Sequence, residues 1–330
     1  MSIDGRLLRR AIQRLEDEKK TRSDRAAAKR AKVYRKIPRV RELDRELRLT
    51  MLDVLGAVSA GADVDAQIAA AKQRNLDLQA ERAELLTAAG YRACDIDDEP
   101  KCTRCGDRGF IGTKICPCLM DIYRDEQRRE LSECLKLGEE TFNTFSLEYY
   151  DDRKDPDTGI SPREHMALVF EQCREYARKF GKNSPNLFLR GGTGLGKTFL
   201  SACIAKVVSE KGSSVVYDTA VNTLAAFEAE KFGIGDVNEA REKTHRYLNC
   251  DLLIMDDLGT EMLTSMVTSA LYTLINTRLI TGKKTVINSN LTPEELSRRY
   301  SPQIVSRLEG EYLPLTFRGS DIRIIKRDMI

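Results

Sequence analysis

An α/β fold, a parallel sheet flanked by helices, is predicted by three stretches of this 330-residue chain. The first is Gly191-Gly192-Thr193-Gly194-Leu195-Gly196-Lys197-Thr198, a complete G-x-x-x-x-G-K-[ST] loop. It sits between an apolar strand pattern, Asn186 to Arg190, and an apolar helix pattern, Phe199 to Val208. The second is Leu252-Leu253-Ile254-Met255-Asp256-Asp257, a short run that reads as a buried strand ending in two carboxylates. The third is Lys284 to Asn290, a strand pattern that turns polar at its tip. Sheets of this class bind ligands at the carboxyl ends of their strands, where all three runs deliver polar groups.

The N-terminal third reads differently. Residues 1–60 hold 17 Lys/Arg against 9 Asp/Glu, although the whole chain carries a formal charge of only +3. Leu8, Ile12 and Leu15 form a helical stripe, and a second helix is expected from about Val40 to Val58, with Leu43, Leu47, Met51 and Leu55 four residues apart. Ile37-Pro38 separates the two. A third helix is expected over Val64 to Ala89, carrying Ile68, Leu76, Leu78, Leu85 and Leu86. So few apolar positions make a poor core, which points to a hairpin-like or coiled module. It serves either as a protein-docking arm or as solvated structural helices. Interleaved acids argue against the basic excess acting as a nucleic-acid clamp by itself.

Cys102-Thr103-Arg104-Cys105 and Cys116-Pro117-Cys118 form a C-x₂-C-x₁₀-C-x-C pattern. Two close thiol pairs on a short loop can form the closed all-sulfur tetrahedron of structural zinc. The glycines at 106, 109 and 112 suit tight turns, and Phe110-Ile111 suits a short ribbon. A redox switch is the alternative. Cys94, Cys134, Cys173, Cys203 and Cys250 are spaced as isolated, buried thiols. A charged helix follows from Met120 to Leu137, then a polar loop at Asp151 to Asp157 and a further helix from Pro162 to Phe180. The domain boundary falls near 138–141, giving a helical N-terminal domain over 1–137 with its zinc knuckle at 102–118, and an α/β domain over 138–330.

In the α/β domain each loop position has a mechanical reason. The glycines let successive backbone N–H groups converge on phosphate oxygens, and the following helix adds its N-terminal dipole. Lys197 reaches the β/γ-phosphates and the Thr198 hydroxyl is placed for Mg²⁺. Asp256 is the candidate for the carboxylate that holds hydrated Mg²⁺, and Asp257 for polarising the attacking water, a role in which the longer Glu is common. Asn290 is placed to sense the γ-phosphate; Asn288, two residues back on the same face, competes for that role. Arg307 and Arg323 each lie in a short ordered context near the end of the chain. The composition, 41% hydrophobic and 32% charged with a mean hydropathy of −0.42, excludes a membrane span and, with no apolar signal core, implies a cytoplasmic location.

Taken together, the loop at 191–198, the Leu252–Glu261 segment, Asn288-Ser289-Asn290-Leu291, Val305-Ser306-Arg307-Leu308 and Gly319-x-Asp321-x-Arg323 resemble the bacterial and phage helicase-loader family, the DnaC/DnaI-type AAA+ ATPases. The resemblance covers nearly the full length. It implies an ATPase with Asn290 as sensor 1, Arg307 as an arginine finger acting on a neighbour's ATP, and Arg323 as the sensor 2 arginine, with a minimal C-terminal lid. It implies three partners: a replicative hexameric DNA helicase docked by the N-terminal domain, single-stranded DNA, and further copies of the chain. Val221 to Tyr247 corresponds to the helical insertion of the initiator/loader clade, with Lys231, Arg241, Lys243 and Arg246 as candidate DNA contacts. Two alternatives stand beside the loader: a transposition-associated ATPase of the IstB type, and a nucleotide-dependent switch with negligible turnover.

Overall fold

The structure, a computed structural model, describes residues 4–60, 64–92, 96–135, 140–156 and 158–328, with residues 51–60, 64–67 and 131–135 as backbone alone. Cys94, the Met51, Leu55 and Cys134 side chains and the 137/138 division lie outside what is described. The chain divides into two compact units, residues 11–120 and residues 121–330 together with 1–10. Among the described residues no helix is long and apolar enough to cross a membrane.

The N-terminal helices are α1 (Gly5–Lys36), α2 (Pro38–Ala60) and α3 (Val64–Ala88). Pro38 stops α1 and starts α2 because it has no N–H to donate, a defect that costs nothing in a first helical turn. The most deeply buried residues at the start of α1 are Leu7 and Ala11, while Leu8, Ile12 and Leu15 lie at the margin. The buried line is thus turned by one residue from the stripe read in the sequence.

In residues 11–120 a small core gathers Val33, Val40, Leu86 and Ile96, with Tyr34, Ile37, Leu85 and Tyr91 packed against it. Polar ties surround it. Arg82 pairs with Asp44 and Asp97, each at 2.6 Å, and the Arg30 guanidinium donates twice to the Ile96 carbonyl. Next comes the hairpin β1 (Phe110–Ile111) and β2 (Lys114–Ile115), paired antiparallel. A helix, α4 (Pro117–Leu135), leaves it.

The second unit holds α5 (Pro162–Lys179), β3 (Asn186–Arg190), α6 (Lys197–Glu210), β4 (Val215–Thr219), α7 (Ala220–Phe232) and α8 (Val237–Asn249). It continues with β5 (Leu252–Leu258), α9 (Ser265–Ile280), β6 (Lys284–Ser289), α10 (Pro293–Arg299), α11 (Pro302–Gly310), β7 (Tyr312–Thr316) and α12 (Ile322–Asp328). The five strands form one parallel sheet in the order β4-β5-β6-β3-β7. Alternation across the pleat sends Leu187 and Leu189 of β3 to one face, with Leu200, Ile204 and Val208 of α6, and Phe188 to the other, with Leu253, Met255 and Leu271. The phosphate-loop strand is therefore central and buried on both faces.

Two features were not read in the sequence. Strand β7 carries Pro314, which cannot donate to a ladder, and it accordingly lies at the sheet edge, where one side needs no partner. Arg278 is wholly buried. Its guanidinium donates to Thr285 Oγ1 at 2.9 Å, to the Tyr247 carbonyl at 2.6 Å and to the carbonyls of Cys250 and Lys284. Carbonyl dipoles replace water around that charge and tie α9 to the ends of α8 and β6.

Candidate functional site: a phosphate loop and a thiol cluster

Strand β3 runs directly into the Gly191–Thr198 loop, and Lys197 opens α6. Gly191, Gly194 and Gly196 all have positive φ (148°, 70° and 88°), the region glycine occupies without strain. Close approach adds a second reason. A Cβ on Gly191 would stand 2.5 Å from the Phe317 carbonyl oxygen, and one on Gly194 would stand 1.8 Å from Asp321 Oδ1. The C-terminal segment thus lies against the loop, with Ile322 N donating to Gly194 O at 3.0 Å. Nothing in the motif announces that contact.

Lys197 is almost fully buried, and its Nζ donates to Gly191 O (2.8 Å), Gly192 O (2.6 Å) and Asn290 Oδ1 (2.6 Å). Burial pulls its ammonium below the ordinary lysine range, and the charges of Asp257 and Asp256 oppose that. At the end of β5, Asp256 is buried. It accepts from Tyr217 OH (2.6 Å), Asn288 Nδ2 (2.8 Å) and the Asp257 backbone N–H (3.0 Å), and it stands 3.4 Å from Thr198 Oγ1. Thr198 Oγ1 and Asp256 Oδ1 thus converge on one side of the site, where the hydroxyl would ligate Mg²⁺ and the carboxylate would hold its water shell. Asp257 adopts φ 55°, a strained position for a non-glycine, which turns its side chain into the cavity. Burial, reinforced by Asp256, raises its carboxyl above the usual range.

The two competing asparagines separate cleanly. Asn288 is fully buried and donates to Asp256 and Ser201 Oγ, whereas Asn290 lines the cavity and touches Lys197. The cavity itself, about 450 Å³, runs from the phosphate loop to Phe145, Tyr149 and Phe199, with Arg323 and Lys326 on its C-terminal side. Arg323 is thus brought to the loop. Arg307 is not among the residues lining the cavity; it sits over the Tyr272 ring at 4.6 Å and donates to Tyr272 OH and Asn276 Oδ1.

Sequence reasoning missed two supports. Tyr150 is buried and donates to the Leu195 carbonyl at 2.9 Å, bracing the loop from behind. Glu261, buried beyond β5, accepts from Gly259 N–H and from Tyr300 OH, fixing the turn that follows Asp257. Tyr150 stands in no recognisable pattern, and Glu261, although it closes the Leu252–Glu261 segment, owes its bond with Tyr300 to a residue remote in sequence. In the insertion, Lys243 pairs with Glu239 and Arg241 with Glu230. Arg246 departs from the exposed position expected of it: it is largely buried and bonded to Asp4 (2.6 Å) and Glu130 (2.8 Å).

In the other unit the Sγ atoms of Cys102, Cys105, Cys116 and Cys118 all lie within 4.8 Å of one another. Two of the separations are 3.7 Å (Cys102–Cys116) and 3.5 Å (Cys105–Cys118). A tetrahedron with Zn–S bonds of about 2.3 Å has edges of about 3.8 Å, so the four thiols fit a closed zinc site. Asp107, itself at φ 55°, accepts from the Lys101 and Cys102 backbone N–H groups and pairs with Arg22 at 2.7 Å, holding the first thiol loop in place. Gly109 is required where it is, because a Cβ there would meet Leu119 and Leu15 at 3.0 and 3.1 Å. The other described cysteines, Cys173, Cys203 and Cys250, are buried singly.

Comparison with known proteins agrees with this geometry. Residues 172–306 match a family described as IstB-like ATP binding protein. The chain is 27% identical over 150 residues to the chromosomal replication initiator protein DnaA of Aquifex aeolicus (46% of this chain, 36% of that one). It is 27% identical over 147 residues to the replicative helicase loader DnaI of Bacillus subtilis strain 168 (43% of this chain, 45% of that one). It thus spans less than half the length of these relatives. A crystal structure of DnaI aligns with a TM-score of 0.43 at 20% identity, covering 58% of this chain and 93% of that one.

Proposed function

We propose that this chain, whose residues 172–306 match an IstB-like ATP binding family, is a DnaC/DnaI-type ATP-dependent loader of a replicative DNA helicase. In this reading residues 1–137 dock on the hexameric helicase, and the 138–330 domain binds and hydrolyses ATP and delivers the helicase onto single-stranded DNA in the cytoplasm. Zn²⁺ on Cys102, Cys105, Cys116 and Cys118 stiffens the docking domain. Mg²⁺ rests on Thr198 and, through water, on Asp256.

The observation that carries the proposal is the division of the arginines. Lys197, Asn290, Asp257 and Arg323 line one cavity with the phosphate loop, and Arg307 does not. Lys197 and Arg323 neutralise the triphosphate within one subunit, and Asn290 fixes the γ-phosphate end by holding Lys197. Asp257 orients the attacking water. Arg307, lent to a neighbouring copy, completes that copy's charge stabilisation, so hydrolysis waits on assembly.

Retention of the replicative helicase by the immobilised chain, followed by phosphate release with helicase and single-stranded DNA, tests the reading. Helicase capture with stimulated release is expected. The IstB-like match supports a second reading, a transposition ATPase, and capture of a transposase in place of the helicase would establish it. Arg307→Ala should leave ATP binding intact and lower assembly-dependent hydrolysis about 10³-fold or more. Unchanged hydrolysis would remove Arg307 from the site.

A further inference from the structure

The cavity has two chemically distinct ends. At one end the phosphate loop and Lys197 supply positive charge and N–H donors. The other end is aromatic: the Phe145 ring lies 5.5 Å from Phe199 and stacks on Phe170 at 5.2 Å, and Lys326 covers the Tyr149 ring at 4.8 Å. In the ATP reading of the cavity the phosphates take the loop and the base packs on these rings, because rings pack on rings.

One acceptor lines the same cavity. Glu140 Oε2 is buried and, among the described residues, meets no hydrogen-bond donor. A buried carboxylate oxygen without a donor is a costly arrangement, and such atoms in native proteins call for an explanation, commonly a missing partner. Glu140 enters the cavity on the same chain segment as Thr144, Phe145 and Tyr149, which supplies two of its aromatic rings.

We propose that Glu140 is a specificity-determining residue that reads the base, its Oε2 accepting a hydrogen bond from the exocyclic amine of adenine. The inference rests on the ATP reading of the cavity. Inosine carries a carbonyl oxygen where adenine carries that amine, and an N1–H where adenine has a bare N1, so at the exocyclic position it sets acceptor against acceptor while leaving ribose and phosphates unchanged. A desolvated acceptor discriminates strongly between a donor and an acceptor of the same size.

The test is titration of the full-length protein with ATP, inosine triphosphate, GTP and 2′-deoxy-ATP in the presence of Mg²⁺, for the native chain, Glu140→Gln and Glu140→Ala. The native chain should bind ATP about 10- to 100-fold more tightly than inosine triphosphate, the range of one charge-assisted hydrogen bond. Glu140→Ala should bring ATP down to the level of inosine triphosphate without weakening the latter. Glu140→Gln, whose carbonyl still accepts, should keep a preference for ATP. Equal native affinities for ATP and inosine triphosphate, or a native preference for GTP, would overturn the assignment of Glu140 and leave the triphosphate site standing. Parallel loss of both ligands in Glu140→Ala, or a changed ratio only between ATP and 2′-deoxy-ATP, would overturn it in favour of a structural or ribose role. A native chain that binds none of the four would sink the ATP reading itself.

Discussion

The two compact units hold themselves together by different means. In the ATP-binding unit, twenty buried residues on one face of the sheet and twenty-one on the other make continuous apolar layers. In residues 11–120 the cluster of Val33, Val40, Leu86 and Ile96 is small among the described residues, Arg82 and Arg30 tie the segments around it, and Arg22 pairs with Asp107 in the thiol loop. Apolar burial is worth about 25 cal/mol per Å² and adds up without geometric demands. Ion pairs near the surface add little and depend on exact placement. A unit of the second kind needs a strong local fastener, and four convergent thiols supply the ligands for one. The lesson is that the layered sheet is held by apolar burial, whereas the smaller unit combines polar ties with four convergent thiols.

The largest effect expected is therefore confined to one unit. Stripping zinc with a chelator, or replacing Cys105 with serine, should remove metal-binding free energy on the order of 10 kcal/mol. It should raise hydrogen exchange across residues 101–120 and leave the ATP-binding unit's protection unchanged. Metal analysis that finds no zinc in the native protein, or protection lost equally in both units, breaks the comparison.

Next in size is Lys197→Ala, which strips the charged donor from Gly191, Gly192 and Asn290. Triphosphate affinity should fall by roughly 2–5 kcal/mol, the range for truncating a desolvated charge partner. Zinc content should not change, and calorimetric titration beside metal analysis checks both statements. Arg82→Ala tests the first unit's polar ties. It leaves Asp44 and Asp97 without their shared partner and should lower the stability of residues 11–120 by about 1–3 kcal/mol. Chemical denaturation followed by exchange mass spectrometry localises the loss; a loss spread over the sheet would show that the units do not unfold separately.

The smallest effect belongs to Tyr150→Phe, which deletes only the hydroxyl bonded to the Leu195 carbonyl. A cost of about 0.5–1.5 kcal/mol is expected, read as faster exchange in the phosphate loop with the remaining sheet unaffected. An unaltered loop would show that ring packing, not the hydrogen bond, braces it.

Local pattern by itself determined the phosphate loop, the strands that deliver Asp256 and Asn290, the break at Ile37-Pro38, the helical arm and the four-thiol cluster. Each of these is written within a few residues: glycine spacing, an apolar run ended by acids, a proline, paired cysteines. The choice between Asn288 and Asn290 was beyond that reach, because two residues on one strand face differ only in what packs above them. Tertiary packing separates their surroundings, burying Asn288 against Asp256 and leaving Asn290 in the cavity with Lys197. Tyr150, the buried Arg278, edge strand β7 and the inward-turned Arg246 were equally silent in the sequence. Each owes its role to partners far along the chain. The close passage of Phe317 and Asp321 over Gly191 and Gly194 belongs with them. A local pattern records what one stretch of backbone can do, and only tertiary packing determines which distant group comes to meet it.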